Sequence, residues 1–404
     1  GFGDFTSTAW GFGNNLDIDV NERVFFPHSL GILYQSITQF LGFKNYGDEY
    51  KVMGLASYGE PNYMEELAKI LRPMDNGFEF NGSLDKRLRD SEIYTTDFST
   101  RQECIFTEEL EEILGPRRLQ GNPLTERHRD IAASMQKQLE IVVTQLVRDA
   151  VSATDCPDVC LAGGVALNCK ANMEVLLEAS VRQLYVPPVP HDAGVALGAA
   201  MLKCAEHNLK VESLDHAYWG PSYSADMITQ TLDQVGARYS THEDPTIPCV
   251  EDLMAGRSIG WFQGRMEYGP RALGNRSIIA NPCDPDMKNR INGTIKYREE
   301  FRPFCPSIQF EHQHRYFDHD RESPFMNVTL PAKATAAKEI PAVIHVDQTA
   351  RLQSVRAETN ARFHQLIDRF AAASGTPVLL NTSLNINEQP TVNGPLEALH
   401  TYFC

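Results

Sequence analysis

Apolar and polar residues follow one another along the first part of the chain in patterns that predict both strands and helices. The opening stretch, GFGDFTSTAWGFG, combines glycines with aromatic residues and suits a β-hairpin. Apolar residues then recur at helical spacing from about Ser29, and a second helical pattern follows Gly47. Residues 73–124 are polar and show little periodicity, so we expect an insertion or a loop region that faces a substrate.

The middle of the chain alternates helical patterns with short runs typical of strands. A long helix is expected from Thr125 to just before Pro157. Its core face is formed by apolar residues at helical spacing: Ile131, Met135, Leu139, Val142 and Leu146. Residues 159–161 predict a short buried strand and residues 183–186 a second one, with a helix between them and another from Asp192. This alternation predicts an α/β domain with a mainly parallel or mixed sheet.

A break in composition at Trp219-Gly220-Pro221 predicts a domain boundary. Beyond it the pattern starts again with a helix near 225–235, a strand at 259–262 and a block rich in arginine and glycine. We therefore divide the chain into domains at 1–221 and 222–404, which agrees with a length of 404 residues being too great for one core. The alanine- and lysine-rich segment 333–338 is expected to be a surface loop.

Charge and cysteine content narrow the class of protein. The net charge of −16 makes nucleic acid a poor partner, because an acidic surface repels a phosphate backbone. No stretch of the sequence is apolar for long enough to predict a membrane-spanning helix. The nine cysteines include no C-x-x-C pair, so we expect reduced thiols in a cytoplasmic protein.

Two segments of the first domain have residues suited to a nucleotide. In LAGGVALN, a strand runs into Gly163 and Gly164 and then into Asn168, so backbone N–H groups can approach a phosphate there; a plain tight turn is the alternative. Glu49 and Lys51 follow Gly47 and offer a carboxylate for ribose and a cation for phosphate. Their alternative is a solvated helix start.

The segment PHDAGVALGAA contains one candidate metal ligand. Asp192 precedes a helix of small residues, so it is either the N-cap of that helix or a carboxylate ligand for a divalent metal. His191 is expected to be a bystander.

The densest group of charges lies in the second domain, from 260 to 302. It contains arginines interleaved with glycines and followed by more cations: Arg265, Arg271, Arg276, Lys296 and Arg302. Guanidinium groups on a loop of this kind suit bidentate binding of phosphate or carboxylate; exposed ion-pairing arginines are the alternative. Later, LLNTSLNINEQP places Asn381, Thr382 and Ser383 after an apolar strand, where they suit a nucleotide or a small acyl group unless they form a polar turn.

Taken together and in order, these segments resemble the nodulation- and antibiotic-type carbamoyltransferases, the NodU/CmcH family, with tobramycin carbamoyltransferase as the nearest type in mechanism. The resemblance covers nearly the whole chain. It is carried by FPHSLG (26–31), GDEYKVMGLASYGEP (47–61), LAGGVALN (161–168), HDAGVALGAA (191–200), QGRMEYGPRALGNRSI (263–278), REEFRPFCPS (298–307) and TPVLLNTSLN (376–385).

The resemblance implies a two-part enzyme. Its first part is an actin/Hsp70-like (ASKHA) ATP-binding domain, and its second part is a YrdC-like α/β domain. In the second part carbamoyl phosphate and ATP form carbamoyl-adenylate. In the first part the carbamoyl group passes to a hydroxyl of a small molecule, with the help of a bound divalent metal, typically Fe²⁺, while Mg²⁺ accompanies the nucleotide.

The resemblance also assigns roles to the candidate residues. Because carbamoyl phosphate and ATP bring several negative charges together, we take Arg265, Arg271, Lys296 and Arg302 as candidates for a cationic cradle, with Arg276 behind them. In the first domain, LAGGVALN together with Glu49 and Lys51 aligns with the nucleotide-binding region. Asp192 aligns with a carboxylate metal ligand, which favours that role over the N-cap.

The chain departs from the family pattern at its start, because the catalytic histidine and the H-H-x-x-H-A metal ligands do not appear in it. We therefore expect these groups to lie in a preceding segment. The alternative functions are a small-molecule kinase of the same nucleotide fold, a tRNA-modifying relative, and a non-catalytic or half-site subunit; the acidic charge disfavours the second. The acceptor cannot be named from the sequence, and a homodimer is the default expectation.

Overall fold

The computed structural model describes residues 5–14, 17–45, 47–84, 104–211, 213–387 and 389–404. The chain forms two compact units. The first runs to Val186 and includes Pro190–Val211, and the second contains Pro187–Val189 and the remainder of the chain. The boundary predicted after 221 lies a short way beyond this division.

The described residues of the first unit form helices and three pairs of strands. The strand pairs are β1 (Thr6–Asn14) with β2 (Asp17–Phe25), β3 (Leu71–Met74) with β4 (Gly77–Phe80), both antiparallel, and β5 (Asp158–Cys160) with β6 (Gln183–Tyr185), which is parallel. The helices described in this unit are α1 (Leu30–Phe40), α2 (Glu49–Leu55), α3 (Met64–Ile70), α4 (Glu109–Leu114), α5 (Glu126–Thr154), α6 (Cys169–Leu177) and α7 (Val195–Glu206).

The long helix α5 is the centre of this unit, and its expected core face is confirmed. All five apolar residues predicted to face the core are buried: Ile131, Met135, Leu139, Val142 and Leu146. The helix begins after Thr125, whose backbone N–H donates to His128 Nδ1 at 3.1 Å. It ends at Thr154, because Asp155 takes a left-handed conformation with φ of 53° just before Cys156 and Pro157. Helices α1, α2, α3 and α6 pack against it.

Several predictions for this unit are confirmed and two are wrong. The hairpin and the helix capped by Ser29 form as expected. The segment 73–124, expected to be irregular, contains part of β3, all of β4 and helix α4; residues 85–103 of it lie outside the described part. The strand expected to be buried has Asp158 and Cys160 exposed, since β6 is its only partner among the described residues. A larger sheet is therefore not seen in the described part of this unit.

The second unit is built on a five-stranded mixed sheet. The strands are β7 (Ile259–Phe262), β8 (Arg276–Ala280), β9 (Cys305–Gln309), β12 (Gln353–Val355) and β13 (Val378–Ser383), in the order β12-β9-β13-β8-β7. Strands β12 and β9 are parallel and the other neighbours antiparallel. A separate pair joins β10 (Thr329–Pro331) to β11 (Thr349–Arg351). The helices described here are α8 (Ala225–Gln234), α9 (Thr246–Met254), α10 (Met287–Ile291), α11 (Ala334–Glu339), α12 (Ala361–Ser374) and α13 (Pro395–Phe403).

One face of this sheet is apolar at one end and polar at the other. Along β13, Leu379, Asn381 and Ser383 lie on the same face because side chains alternate along a strand. Leu379 packs in a buried cluster with Ile279 of β8, Val355 of β12 and four apolar residues of α12. Helix α12 therefore covers the apolar end, and the residues that follow it on the same face need polar partners.

The elements predicted for this unit are mostly confirmed. Strand β7 has the predicted bounds, and α8 matches the helix expected near 225–235. The surface loop expected at 333–338 is wrong, because Ala334–Glu339 forms a short helix. Its alanines have a high intrinsic helix propensity, which the loop prediction did not take into account. Among the described residues, none of the helices has the length and apolar character to cross a bilayer.

The close contact between the arginine-rich loop and α12 generates a stability prediction. Gly274 has a φ of +102°, and a Cβ there would lie 2.3 Å from the ring of Phe363. We expect Gly274→Ala to lower the free energy of unfolding by roughly 2–4 kcal/mol, because it adds backbone strain to a steric clash. Urea titration followed by tryptophan fluorescence measures this.

The matched control is Gly293→Ala in the same unit. A Cβ at Gly293 has no described atom within 4 Å, so this variant should stay within about 1 kcal/mol of the wild type. A Gly274→Ala protein as stable as this control would mean that the ring of Phe363 yields at little cost.

Candidate active site

The polar end of the sheet face in the second unit is held together by a buried network of side chains. Asn381 Nδ2 donates to Ser307 Oγ at 2.9 Å and to Gln353 Oε1 at 3.2 Å, which links strands β13, β9 and β12. Ser307 Oγ also donates to Gln353 Oε1 at 2.6 Å. All three residues are buried. Because buried polar groups need partners, these residues specify a single arrangement of the three strands.

The same network fixes the loop that carries Arg271. Asn381 Nδ2 donates to the carbonyl of Ala272 at 3.2 Å, and Gln353 Nε2 donates to the carbonyl of Leu273 at 2.8 Å. Because a carbonyl can only accept, these contacts fix which end of each side-chain amide is the NH₂ group and which is the oxygen. Asn381 Oδ1 remains buried and has no hydrogen-bond partner in the described part of the chain.

Arg276 lies behind this loop and is completely buried. Its guanidinium donates to backbone carbonyls, namely those of Pro221, Gln263, Gly264, Asn275 and Asn393. It also stacks on the ring of Phe262, with 3.7 Å from Cζ to the ring centroid. Burial lowers the pKa of Arg276 from its usual value. These contacts explain why an arginine is buried here, while its predicted contact with nucleotide stays a prediction.

Lys296 is buried next to the end of β13. It lies at the end of a π-helical turn, Asn292–Lys296. Its Nζ donates to the carbonyl of Ser383 (2.6 Å), the carbonyl of Asn385 (2.9 Å) and Asn385 Oδ1 (2.6 Å), with Ser383 Oγ at 3.3 Å. Burial, followed by repulsion from Arg298 and Arg302, lowers the pKa of Lys296 to about 7.

The other predicted cations differ in how closely they join this site. Arg302 lies near enough to Lys296 to affect its pKa, and its Nη1 is 3.8 Å from Glu299 Oε2. Arg271 is half-buried and precedes Ala272, whose carbonyl belongs to the network. Arg265 is exposed, and its guanidinium donates to the carbonyls of Trp219 (2.7 Å) and Gly220 (3.0 Å).

The amide and hydroxyl residues of β13 divide between the two faces of the sheet. Asn381 and Ser383 share the polar end with Lys296, whereas Thr382, between them, belongs to the opposite face by strand alternation. The structure thus places Asn381, which contacts the loop that carries Arg271, and Ser383, which contacts Lys296, on the same face of β13. It does not show Thr382 in contact with these residues.

Sequence reasoning missed two members of this site, Gln353 and Arg351. Arg351 Nε lies 3.1 Å from Cys305 Sγ, and Cys305 is opposite Asn381 in the sheet register. A further cation is therefore placed at the polar end. Neither residue belongs to a glycine- or arginine-rich segment, so their only signal in the sequence is their position beside short strands.

In the first unit, the paired glycines after β5 form an open turn. Gly163 has a φ of +102°, and its N–H donates to the carbonyl of Pro190 at 2.6 Å. A Cβ at Gly163 or Gly164 would have no described atom within 4 Å, so the backbone there is open to a close approach. This geometry is compatible with the predicted phosphate contact and does not test it.

Asn168 follows this turn, and both ends of its side-chain amide are hydrogen-bonded to neighbouring helices. Its Oδ1 accepts from the N–H of Ala171 at 3.0 Å, which caps α6. Its Nδ2 donates to Gln136 Oε1 at 2.9 Å, and the hydroxyl of Tyr34 donates to the same oxygen at 2.9 Å. Gln136 Nε2 donates in turn to Glu140 Oε1 at 3.0 Å. The turn is thereby tied to α5 and α1.

Glu49 and Lys51 lie in the first turn of α2. Burial raises the pKa of the Glu49 carboxyl, so this group is not a simple solvated helix start. Lys51 Nζ is 2.9 Å from Asp48 Oδ1 and 5.7 Å from the centroid of the Phe43 ring. The proposed nucleotide contacts of both residues stay predictions.

Asp192 is exposed at the start of a short 3₁₀ turn, Asp192–Gly194. His191 is the N-cap of this 3₁₀ turn, and its Nδ1 accepts from the N–H of Ala193 at 3.1 Å. The N-cap of the following helix α7 is Gly194. The N-cap alternative for Asp192 is therefore wrong. The described residues include no group of three or more metal-binding side chains, so they do not by themselves form the expected metal site, and its ligation by Asp192 stays a prediction.

Comparison with protein families agrees with the order of these segments. A model described as the carbamoyltransferase N-terminus matches residues 1–201, and one described as the carbamoyltransferase C-terminus matches residues 250–403.

Individual relatives match over all or much of the chain. Nodulation protein NolO of Bradyrhizobium diazoefficiens is 37% identical and nodulation protein NolNO of Sinorhizobium fredii is also 37% identical; both matches cover 100% of this chain, and 71% and 57% of the relatives. A 3'-hydroxymethylcephem-O-carbamoyltransferase of Amycolatopsis lactamdurans is 34% identical over 58% of this chain and 43% of its own length. The chain spans only part of each relative, and it belongs to the carbamoyltransferase family of enzymes.

Proposed function

We propose that this chain makes carbamoyl-adenylate and serves in O-carbamoyl transfer to a small-molecule hydroxyl. The observation that carries the proposal is the presence of cations at the polar end of the second unit's sheet. Lys296 is buried beside Ser383 with Arg302 near it, and Arg351 contacts Cys305, the residue opposite Asn381. Several cations gathered at one place in a chain with a net charge of −16 suit an anionic ligand such as a phosphate group.

In the first step, carbamoyl phosphate, ATP and water give carbamoyl-adenylate, inorganic phosphate and pyrophosphate. The reacting groups repel one another, since each is a phosphate ester or anhydride with several negative charges. Arg271, Lys296 and Arg302 offset that repulsion, and Arg265 is proposed to add a contact from the exposed side. Asn381 and Ser383 supply neutral polar contacts, as does Thr382 in our proposal. Arg276 acts from behind by holding the loop.

In the second step, the oxygen of an acceptor hydroxyl bonds to the carbamoyl carbon, the bond to AMP breaks, and the hydroxyl proton is released. We assign this step to the first unit, as an actin/Hsp70-like (ASKHA) fold. There the open turn at Gly163 and Gly164 approaches phosphate, Asn168 supports the turn, and Glu49 and Lys51 contact the nucleotide. The second unit is proposed to be YrdC-like, with its twisted mixed sheet as the adenylation platform.

The acceptor is proposed to be a natural product, in line with the cephem named for one relative and the nodulation role named for others. The expected Fe²⁺ would act as a Lewis acid on the carbamoyl carbonyl, and Mg²⁺ would accompany ATP. Because the described residues do not complete a metal site, we derive no step through a metal.

Pyrophosphate release tests the proposal. The chain should release pyrophosphate from ATP only when carbamoyl phosphate is present, whereas a kinase of the same fold would produce ADP. Arg271→Ala should reduce release by at least about a hundredfold, because a charge aimed at the phosphates is lost. The control is Arg257→Ala, which removes an exposed arginine paired with Asp252 at 2.9 Å and should leave release unchanged. No release from the wild-type chain would favour a non-catalytic or half-site subunit.

The lowered pKa of Lys296 predicts how stability depends on pH. The folded pKa is about 7 and the unfolded pKa is about 10.4, so between these values the unfolded state binds more protons. The free energy of unfolding should therefore rise with pH over this window, by up to about 1.4 kcal/mol per pH unit from this residue.

Urea titrations at pH 7, 8 and 9 measure this slope. Lys296→Met should lose the rise that the wild type shows, while Lys338→Met, at an exposed position on α11, should keep it. Equal slopes in the wild type and Lys296→Met would contradict the assignment of a shifted pKa to this residue.

A further inference from the structure

Glu267 is a buried carboxylate at the base of the loop that carries Arg271. It is 6% exposed, and its Oε1 accepts hydrogen bonds from three backbone N–H groups: Leu273 at 2.7 Å, Asn275 at 2.8 Å and Arg276 at 3.2 Å. Bonds from N–H groups to a charged oxygen are about twice as strong as those to a neutral one. One side chain thus joins the two ends of the segment 267–273, and Arg271 lies between them.

Arg276 and Glu267 bind opposite kinds of backbone group in the loop, and their described hydrogen bonds are not to each other. The described donors of the Arg276 guanidinium are directed at carbonyl oxygens, so this arginine satisfies the carbonyls of the loop while Glu267 satisfies its N–H groups. Without the carboxylate, buried N–H groups would lose their acceptor, at about 1–3 kcal/mol each. The loop would then lower its free energy by adopting a different backbone conformation in which these N–H groups find other acceptors.

The rest of the loop is already held on the other side of Arg271. Amide groups of the sheet donate to the carbonyls of Ala272 and Leu273. Gly269, with a φ of +137°, passes so close to the carbonyl of Pro188 that a Cβ would lie 2.7 Å from it. The backbone is therefore restrained both before and after Arg271. The hydrogen bond from the N–H of Leu273 to Glu267 then limits the path that the backbone can take between these two residues.

We propose that Glu267 is a positioning residue that holds the backbone at Arg271 in the form that binds carbamoyl phosphate. It contacts no substrate and acts through Arg271. This inference rests on the proposed function, because it takes Arg271 as a phosphate-binding group. It explains why a carboxyl side chain is buried in this loop with only backbone N–H groups among its described hydrogen-bond partners.

A double-mutant cycle on carbamoyl phosphate affinity tests this, with the full chain and titration calorimetry. Glu267→Ala should weaken binding by about tenfold to a hundredfold, since a misplaced group loses its contact. Arg271→Ala should weaken it to a similar or larger extent. The double variant should bind no more than about twofold more weakly than Arg271→Ala alone, because Glu267 has nothing left to position.

Two further measurements guard against simple unfolding. Glu267→Gln keeps a side chain of the same shape with one acceptor oxygen, so its affinity for carbamoyl phosphate should lie within about fivefold of the wild type. This variant should also fold in the event that Glu267→Ala does not. Hydrogen exchange at the amides of Leu273, Asn275 and Arg276 should be faster in both variants. Asp244→Ala is the matched control: it removes a carboxylate in the same unit that accepts from the backbone N–H of Thr246, the first residue of α9, and it should leave affinity unchanged.

The outcomes separate the two proposals. If Arg271→Ala leaves binding and pyrophosphate release unchanged, the proposed role of Arg271 fails and this inference fails with it. If Arg271→Ala weakens binding but the losses multiply in the double variant, or if exchange at the three amides does not change, only the role of Glu267 is overturned.

Discussion

A completely buried guanidinium must find acceptors for its donors, and this need shapes the second unit of the protein. Arg276 meets it with backbone carbonyls from the loop at 263–275 and from two other segments, Pro221 and Asn393. Carbonyls that accept from a fixed, planar group cannot move independently of it. The two ends of the loop are therefore held against the buried interior, while Arg265 and Gly269 remain exposed. A restrained loop fits the proposed binding of carbamoyl phosphate and ATP, because cations that are already in place need no rearrangement when such substrates bind.

The second constraint is the change from apolar to polar along one face of the sheet. Where α12 covers the face, Leu379 packs among aliphatic and aromatic side chains. Two residues further along β13, Asn381 takes the same face, and the loop replaces the helix as its partner. The apolar side chains that α12 presents to the sheet could not satisfy these amides, whereas the loop carbonyls do. The position of the candidate site thus follows from where the helix ends and where the loop begins.

The two units differ in how far their own residues account for a function. In the second unit, side-chain amides and a restrained loop form one hydrogen-bonded network, and Lys296 contacts the end of the same strand. The buried acceptor Asn381 Oδ1 has no hydrogen-bond partner among the described residues. In the first unit, the open turn at Gly163 is supported by the hydrogen bond between Asn168 and Gln136, and a Cβ at Gly163 would have no described atom within 4 Å. Family membership covers both units, since the two matching models fall on 1–201 and 250–403. The adenylation step therefore has the stronger physical support of the two proposed steps.

Much of the fold was readable in the sequence, because local patterns express local requirements. Periodicity alone predicted α5 with its core face, β7 with its bounds, and the helix that Ser29 caps. It failed at 333–338, where alanine propensity outweighed surface polarity. The clustering of arginines also identified the region of the site. Only the tertiary structure showed that Arg276 is the cation buried behind the loop and that Lys296 is the cation that contacts Ser383. It also showed that Gln353 contacts the loop and that Arg351 contacts Cys305. These contacts join residues far apart in the chain, and no local pattern specifies which strands become neighbours or which face a helix leaves uncovered.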